Sequence, residues 1–411
     1  MEKLKFDDYP NVFNASAVVK YDELFVGRKN EIFILNKAIS RRGQHAVIFG
    51  RRGIGKTSLA EIALKKCSIQ KVELICGKKW SFIDFSYQLL KKLGKDPNTI
   101  KLEEHTSDKI NVGSDIKIIK AEGENSKFKS ITYRGLEGTH WDASALSNEL
   151  WDYKTETIVI LDEYDLVDNK NYDFHSNVSS FLKAVSDHPE KLPFTFIIIG
   201  IAKTANELLG GHKSSGRNLN EIFLKYIDRE ALSNFLKLAQ GALGITIESE
   251  VKERMINGSF GYPYYIHLIA ENICDSIAIE DPKRRDINIE YYKKGIERAI
   301  ELKYQDLKDR YMQLLDNIPN LGKEILKRLS LYYDQKIRDE KQICAIIVPD
   351  KYLTYEEYLK GITQINKSGL PIRIQRYVNI GDPLFLPFLK KYYWGSAKPE
   401  IESIDQLKLF N

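Results

Sequence analysis

Eight residues constrain this chain more than any others. Gly50-Arg51-Arg52-Gly53-Ile54-Gly55-Lys56-Thr57 fits G-x-x-x-x-G-K-[ST], a loop that works only between a buried strand and a helix. Both flanks are present. His45 to Phe49 is a short apolar run that predicts the entering strand, and Ser58 to Cys67 has the spacing of a departing helix. The glycines let the backbone turn tightly, so that successive N–H groups converge on one anion, and the helix adds its positive end. Gly50, Arg51, Arg52, Gly53, Ile54, Gly55, Lys56, Thr57 and Ser58 therefore form a candidate phosphate-binding run. Lys56 is expected to reach the β- and γ-phosphates of a nucleoside triphosphate, and the Thr57 hydroxyl to bind Mg²⁺. The alternative is a glycine-rich strand-to-helix turn with a chance lysine. Strand, loop and helix in the right order argue against it.

A second signature strengthens the first. Thr157-Ile158-Val159-Ile160-Leu161-Asp162-Glu163 is an unbroken apolar run ending in two acids, as suits a strand buried on both faces of a parallel sheet. Ligands bind at the C-terminal edge of such sheets. Asp162 is expected to hold Mg²⁺, mainly through its water shell, and Glu163 to orient and deprotonate the attacking water. Apolar runs ending in an acid are common, so the pairing with the phosphate loop carries the weight.

Further along, Val72 to Cys76 and Phe194 to Ile199 predict two more buried strands, giving a three-layer α/β core with right-handed crossovers. Residues 96–140 break that pattern. They read either as a variable surface loop or as a partner- or DNA-contacting element, since Lys117, Lys120, Lys127 and Lys129 lie among apolar residues. From Arg229 the pattern changes to helices without strands, interrupted at Gly261-Tyr262-Pro263. After residue 306 come three helix candidates, the alternating segment PIRIQRYVNI and DPLFLPFLKKYYW, an order matching a winged helix-turn-helix. The resulting division is a polar leader at 1–21, an α/β ATPase core at 22–228, a helical lid at 229–305, a winged-helix-like domain at 306–395 and a tail at 396–411.

Composition narrows the class. No apolar run is long enough to span a bilayer, and the N-terminus lacks a signal peptide's apolar core. Four scattered cysteines, Cys67, Cys76, Cys274 and Cys344, argue against zinc and a disulfide framework and fit a reduced cytoplasm. A net charge of +5 permits nucleic-acid binding without arguing for it.

These residues resemble the AAA+ ATPases, in the branch that includes origin-recognition-type proteins and the prokaryotic STAND-like ATPases. The markers are Phe25-Val26-Gly27-Arg28, the loop at 50–57, and Asp162-Glu163-Tyr164-Asp165. Gly200-Ile201-Ala202 with Glu207, His212, Ser214 and Arg217, and the G-x-P of Gly261-Tyr262-Pro263, complete them. The resemblance implies an AAA+ fold with lid and winged helix. It places Phe25 and Val26 near the adenine and Tyr262 and Pro263 over the nucleotide. Arg217 stands where these families often place an arginine that reaches a neighbouring subunit's γ-phosphate, the alternative being a solvated loop charge. His212 fits a hydrogen-bonding loop residue better than a catalytic base. Lys203 and Thr204 compete for the polar sensor position, and a proline motif stands where many relatives carry a sensor arginine. Both departures imply slow hydrolysis or stimulation by a partner.

Three functions follow as expectations. The first is an ATP-hydrolysing, Mg²⁺-dependent switch acting through a homo-oligomer or an effector protein, with prokaryotic antiviral defence as one setting. The second is an ATPase that binds DNA through the winged helix. Against it, Glu356 and Glu357 balance Lys360 and Lys367 on the expected recognition helix; Lys283-Arg284-Arg285 and Lys390-Lys391 are the basic clusters left to grip phosphates. The third is a nucleotide-gated scaffold that does not hydrolyse.

Overall fold

The computed structural model describes residues 4–19, 21–95, 141–210, 218–331, 355–368, 372–374, 378–380 and 382–394. The insertion at 96–140, the tail from 396, and His212, Ser214 and Arg217 lie outside the described residues. The chain forms two compact units. One comprises Lys29–Arg52 and Lys56–Lys225, the other Met1–Arg28, Gly53–Gly55 and Tyr226–Asn411.

The first unit is a parallel α/β sandwich. Its strands are β1 (His45–Gly50), β2 (Gln70–Ile75), β3 (Thr157–Asp162), β4 (Phe194–Gly200) and β5 (Leu219–Leu224), in the sheet order β2-β3-β4-β1-β5. Every residue of β1 and β4 is buried, which is why both read as continuous apolar runs. β5 escapes the sequence reading. It is an edge strand with Glu221 and Phe223 exposed, and its polar start, Asn218 to Glu221, hides the signal.

Helices cover both faces. The first two, after a short N-terminal helix α1 (Tyr9–Val12), are α2 (Lys29–Ile39) and α3 (Lys56–Leu64), which pack against β1, β4 and β5. On the other face, α4 (Phe82–Lys92), α5 (Ala143–Glu149) and α6 (Tyr172–Asp187) bury Phe85, Leu146, Phe174 and Phe181 against Val47, Val159, Leu161 and Phe196. α4 starts at a capping box, with Ser81 Oγ accepting from Asp84 N at 3.2 Å and Asp84 Oδ2 accepting from Ser81 N at 2.8 Å. A short helix, α7 (Ala205–Leu208), follows β4 and is capped by Thr204.

The second unit is helical. Its main elements are α8 (Arg229–Leu243), α9 (Ser249–Ser259), α10 (Pro263–Glu280), α11 (Ile289–Leu302), α12 (Tyr304–Asn317) and α13 (Asn320–Leu331). Helices at Tyr355–Lys367 and Phe385–Leu389 follow, with the antiparallel hairpin β8 (Ile372–Ile374) and β9 (Val378–Ile380) between them. Two details differ from the sequence reading. Thr246–Ile247 (β6) and Asp286–Ile287 (β7) form a parallel pair, too short to leave a period in the sequence. The N-terminal segment, expected as a polar leader, is built into the helical core. Phe13 is fully buried with its ring edge-on to Phe235, and Phe6 and Val12 join it. Its polar atoms are matched on α10: Asn14 N donates to His267 Nδ1 at 3.2 Å, Ala15 N to Glu271 Oε2 at 3.2 Å, and the Tyr9 hydroxyl to Asp275. A leader reads as polar because its few apolar residues have no period; their partners lie more than two hundred residues away.

A polar network ties α10 and α12 to the segment that follows β9. Arg310 pairs with Asp382, which is almost fully buried, and Tyr265 bonds to both. Asp382 Oδ1 also accepts from Leu384 N at 3.0 Å. Buried charges persist when paired and hydrogen-bonded in this way.

Candidate nucleotide site

β1 and β3 are not neighbours; β4 runs between them, which puts the two strand ends about 10 Å apart at ordinary strand spacing. The first turn of α3 closes that gap. The Thr57 hydroxyl donates to Asp162 Oδ2 at 2.9 Å, joining the phosphate loop to the acidic strand. With its proton given to Asp162, the Thr57 oxygen keeps its lone pairs for a cation. The other carboxylate oxygen of Asp162 accepts from Glu163 N at 2.7 Å. One hydroxyl and one carboxylate at a strand end fit Mg²⁺, which keeps several waters and takes further ligands from phosphates.

Lys56 folds back on its own loop, with Nζ 3.1 Å from the carbonyl of Arg51 and 3.4 Å from that of Gly50. Burial lowers the affinity of this ammonium for its proton, while Asp165 and Asp162 oppose that and the charge of Arg52 adds to it. Two carboxylates thus act on the charge of this lysine.

Glu163 sits at φ 53° and ψ 34°, left-handed backbone that costs a non-glycine residue roughly 1–3 kcal/mol. Its side chain is exposed, as a group that must meet a water has to be. The next residue, Tyr164, is the opposite: fully buried, with its hydroxyl 3.1 Å from His175 Nδ1, whose Nε2 lies 3.1 Å from the carbonyl of Asp168. Tyr164 is the peg that fixes the turn. Cys76, beside these acids, is no nucleophile; burial, then the charges of Asp162, Asp165 and Glu163, pushes its thiol up to about 12.

Both sensor candidates lie in the loop between β4 and α7. The Thr204 hydroxyl accepts from Glu207 N at 3.1 Å as the cap of α7, and Glu207 Oε2 accepts from Lys203 N at 2.8 Å. Thr204 is therefore a helix cap, and the Lys203 side chain is exposed.

Gly50, Arg51, Arg52, Lys56, Thr57, Ser58, Asp162 and Glu163 belong to the α/β unit, whereas Gly53, Ile54 and Gly55 group with Phe25, Val26, Tyr262 and Pro263 in the helical one. Within that unit Tyr264 N donates to Gly53 O at 3.4 Å, and a Cβ on Gly53 would stand 3.0 Å from Tyr264 Cβ. Gly53 has φ 73°, so both its backbone and its neighbour call for glycine. Pro263 lies 3.9 Å from where a Cβ on Gly55 would be. Tyr262 is buried edge-on against Tyr226, with the two hydroxyls 3.4 Å apart. Phe25 and Val26 are half-buried, Val26 against the helical core.

Three residues of the site carry little signal in the sequence. Asp165 is legible only as the last acid of Asp162-Glu163-Tyr164-Asp165. Arg28 is 2% exposed and its Nη2 donates to Ile54 O at 3.2 Å, holding the middle of the phosphate loop. Tyr264 has no motif signal, because its contact is made through backbone and Cβ.

No family model and no curated protein matches this chain. Solved structures similar to it include a Walker-type ATPase of Pyrococcus abyssi, 15% identical, covering 92% of this chain and 99% of that one, with a TM-score of 0.48. The Orc1 protein of Aeropyrum pernix in complex with DNA is 12% identical over 92% of this chain and 94% of that one, TM-score 0.47. Cdc6p from Pyrobaculum aerophilum is 13% identical over 91% and 94%, TM-score 0.49. None of these likenesses is strong enough to carry a function across, so this chain's own residues must supply it.

Proposed function

We propose that this chain is a Mg²⁺-dependent ATPase of AAA+ type whose nucleotide state changes its conformation or assembly. The observation that supports it most is the 2.9 Å hydrogen bond from Thr57 to Asp162, which joins two motifs 105 residues apart at one sheet edge. Lys56 and the N–H groups of Gly50 to Ser58 would bind the phosphates, and Thr57 and Asp162 would hold the metal. The bound metal would neutralise charge on the phosphate oxygens. Glu163 would take the proton of the attacking water as its oxygen bonds to the γ-phosphorus and the bond to the ADP oxygen breaks. Lys56 would offset the charge gathering on the oxygens between the β- and γ-phosphorus. The roles of Phe25, Val26, Tyr262 and Pro263 toward the adenine, and of Arg217 toward a neighbour's γ-phosphate, draw on the family resemblance alone.

Binding and turnover separate the roles. Lys56→Ala is expected to abolish ATP binding, and Glu163→Gln to keep binding while losing hydrolysis. Normal turnover in Glu163→Gln would sink the catalytic assignment. Mass measured in ATP and in ADP tests the switch; equal masses and equal hydrodynamic radii in both would reject it. Control of a separate effector, in antiviral defence or elsewhere, draws on the family resemblance alone.

A DNA-binding reading is second. In its favour, α13 packs on the helix Tyr355–Lys367 and the hairpin β8–β9 comes next, the element order of a winged helix. Against it, that helix opens with Glu356 and Glu357, and the basic clusters have internal partners. Arg284 pairs with Asp286 at 2.6 Å, Arg285 lies 4.6 Å over the Phe6 ring, and Lys391 pairs with Glu301 at 3.0 Å. If DNA is a partner, duplex DNA should raise ATP turnover, and its affinity should fall as salt rises.

A further inference from the structure

We propose that Asp165, to which neither nucleotide motif gives a role, is the positioning residue that holds Glu163 for attack by tying its turn to the end of β4. The inference rests on the proposed ATPase reading and adds to it.

Glu163 occupies backbone that a glutamate adopts only under constraint. The turn around it is pinned at several points. Asp162 Oδ1 accepts from Glu163 N at 2.7 Å, and Leu166 N donates back to Glu163 O at 2.9 Å. Tyr164 is locked in the core through His175. These bonds fix the turn to its own strand and helix. The tie to the neighbouring strand is a different one: Ile201 N, just past the end of β4, donates to Asp165 Oδ1 at 2.8 Å.

The approach of the two is close. A Cβ on Gly200 would stand 2.4 Å from Leu208 Cδ1, 3.0 Å from Asp165 Oδ1 and 3.2 Å from Asp165 N, so β4 ends in the one residue that lets both α7 and the turn lie this near. β4 also runs between β1, which feeds the phosphate loop, and β3, which carries Asp162. Asp165 therefore joins the turn that carries the expected base to the strand lying between the two halves of the site. The charge of the same side chain favours the ammonium form of Lys56. Remove the tether and the left-handed Glu163 is free to relax, carrying its carboxylate off the line of attack. A misplacement of about 1 Å costs on the order of a hundredfold in rate, with no need for a change in affinity.

The test measures ATP turnover, ATP affinity and thermal midpoint on the full chain. In Asp165→Ala, kcat should fall by roughly 30-fold or more while the Kd for ATP stays within about threefold. Asp165→Asn keeps an oxygen that can accept from Ile201 N and should recover most of that loss. A thermal midpoint near wild type in Asp165→Asn, together with the recovered kcat, guards against reading a misfolded Asp165→Ala as a loss of positioning. In a Glu163→Gln background, Asp165→Ala should add almost nothing, since a positioning residue has no effect once the positioned group is gone. Wild-type kcat in Asp165→Ala, a loss of affinity that matches the loss of kcat, no rescue by asparagine, or losses that multiply with Glu163→Gln would each overturn the proposal. A wild-type chain that binds ATP without any turnover, or normal turnover in Glu163→Gln, would instead overturn the ATPase reading beneath it.

Discussion

The two units use the same polar residue types for opposite purposes. In the α/β unit, Lys56, Thr57, Asp162, Glu163 and Asp165 gather at the C-terminal edge of the sheet, none of them fully buried, over a core made of apolar runs. In the helical unit, Tyr9, His267, Asp275, Arg310 and Asp382 are consumed by contacts that staple distant segments together. The first set is held by rigid strands and left with capacity for a ligand. The second has its hydrogen-bonding capacity spent on the fold. An acid or a basic residue marks a site only when its partners leave something over.

That contrast is open to direct attack, and the largest effect should fall on the sheet edge. Glu163→Gln is expected to lower ATP turnover by about 10²–10⁴-fold, the usual contribution of a general base, and to leave the thermal midpoint of the chain where it was. A large drop in stability instead would mean that this acid, too, is structural.

The mirror experiment is Phe13→Ala. Emptying that fully buried site beside Phe235 should cost about 3–5 kcal/mol of stability. Hydrogen exchange should rise in α8 and α10 while the strands of the sheet stay protected. Unchanged exchange in those helices would return residues 4–19 to the polar leader that the sequence suggests.

Acid should strike both units alike. His45 and His267 are both pushed down to about 4 by burial, although a hydrogen bond to the Leu182 carbonyl works the other way at His45. Each ring accepts a backbone N–H at Nδ1, from Phe196 and Asn14 respectively, so each is neutral. The unfolded chain takes up these protons near pH 6.5 and the folded chain resists until about pH 4. Stability is therefore full above pH 6.5, falls as pH drops through that window and levels off below it. The loss is about 3 kcal/mol per histidine. Exchange measured at several pH values, unit by unit, would show whether one histidine dominates.

The smallest effect is expected where the helical unit turns. Gly261 has φ 79°, and a Cβ there would meet the Ile227 carbonyl oxygen at 2.6 Å. Gly261→Ala should cost about 1–3 kcal/mol, read as a shift in thermal midpoint, with ATP turnover altered less than in Glu163→Gln.

Much of the α/β unit is legible in advance because its signals are local. A strand buried on both faces is a run of apolar residues, a phosphate loop is eight consecutive positions, and a capping box such as Ser81 and Asp84 spans four. β5 is hidden because an edge strand carries a half-polar pattern. In the helical unit the 3.6-residue period marks the helices but not their company. Nothing near Phe13 announces Phe235, and nothing near Arg310 announces Asp382.

The sequence alone therefore determined the buried strands, most of the helices, the phosphate loop and the identity of its lysine, threonine and acids, since each depends on neighbours within one strand or one turn. Only the tertiary structure decided that β4 separates β1 from β3, that Thr57 nonetheless reaches Asp162, that Asp165 ties the acidic turn to Ile201, and that Phe6, Val12 and Phe13 belong to a core. Those are contacts between segments far apart along the chain. Their energies depend on which side chains become neighbours, and no local period records that choice.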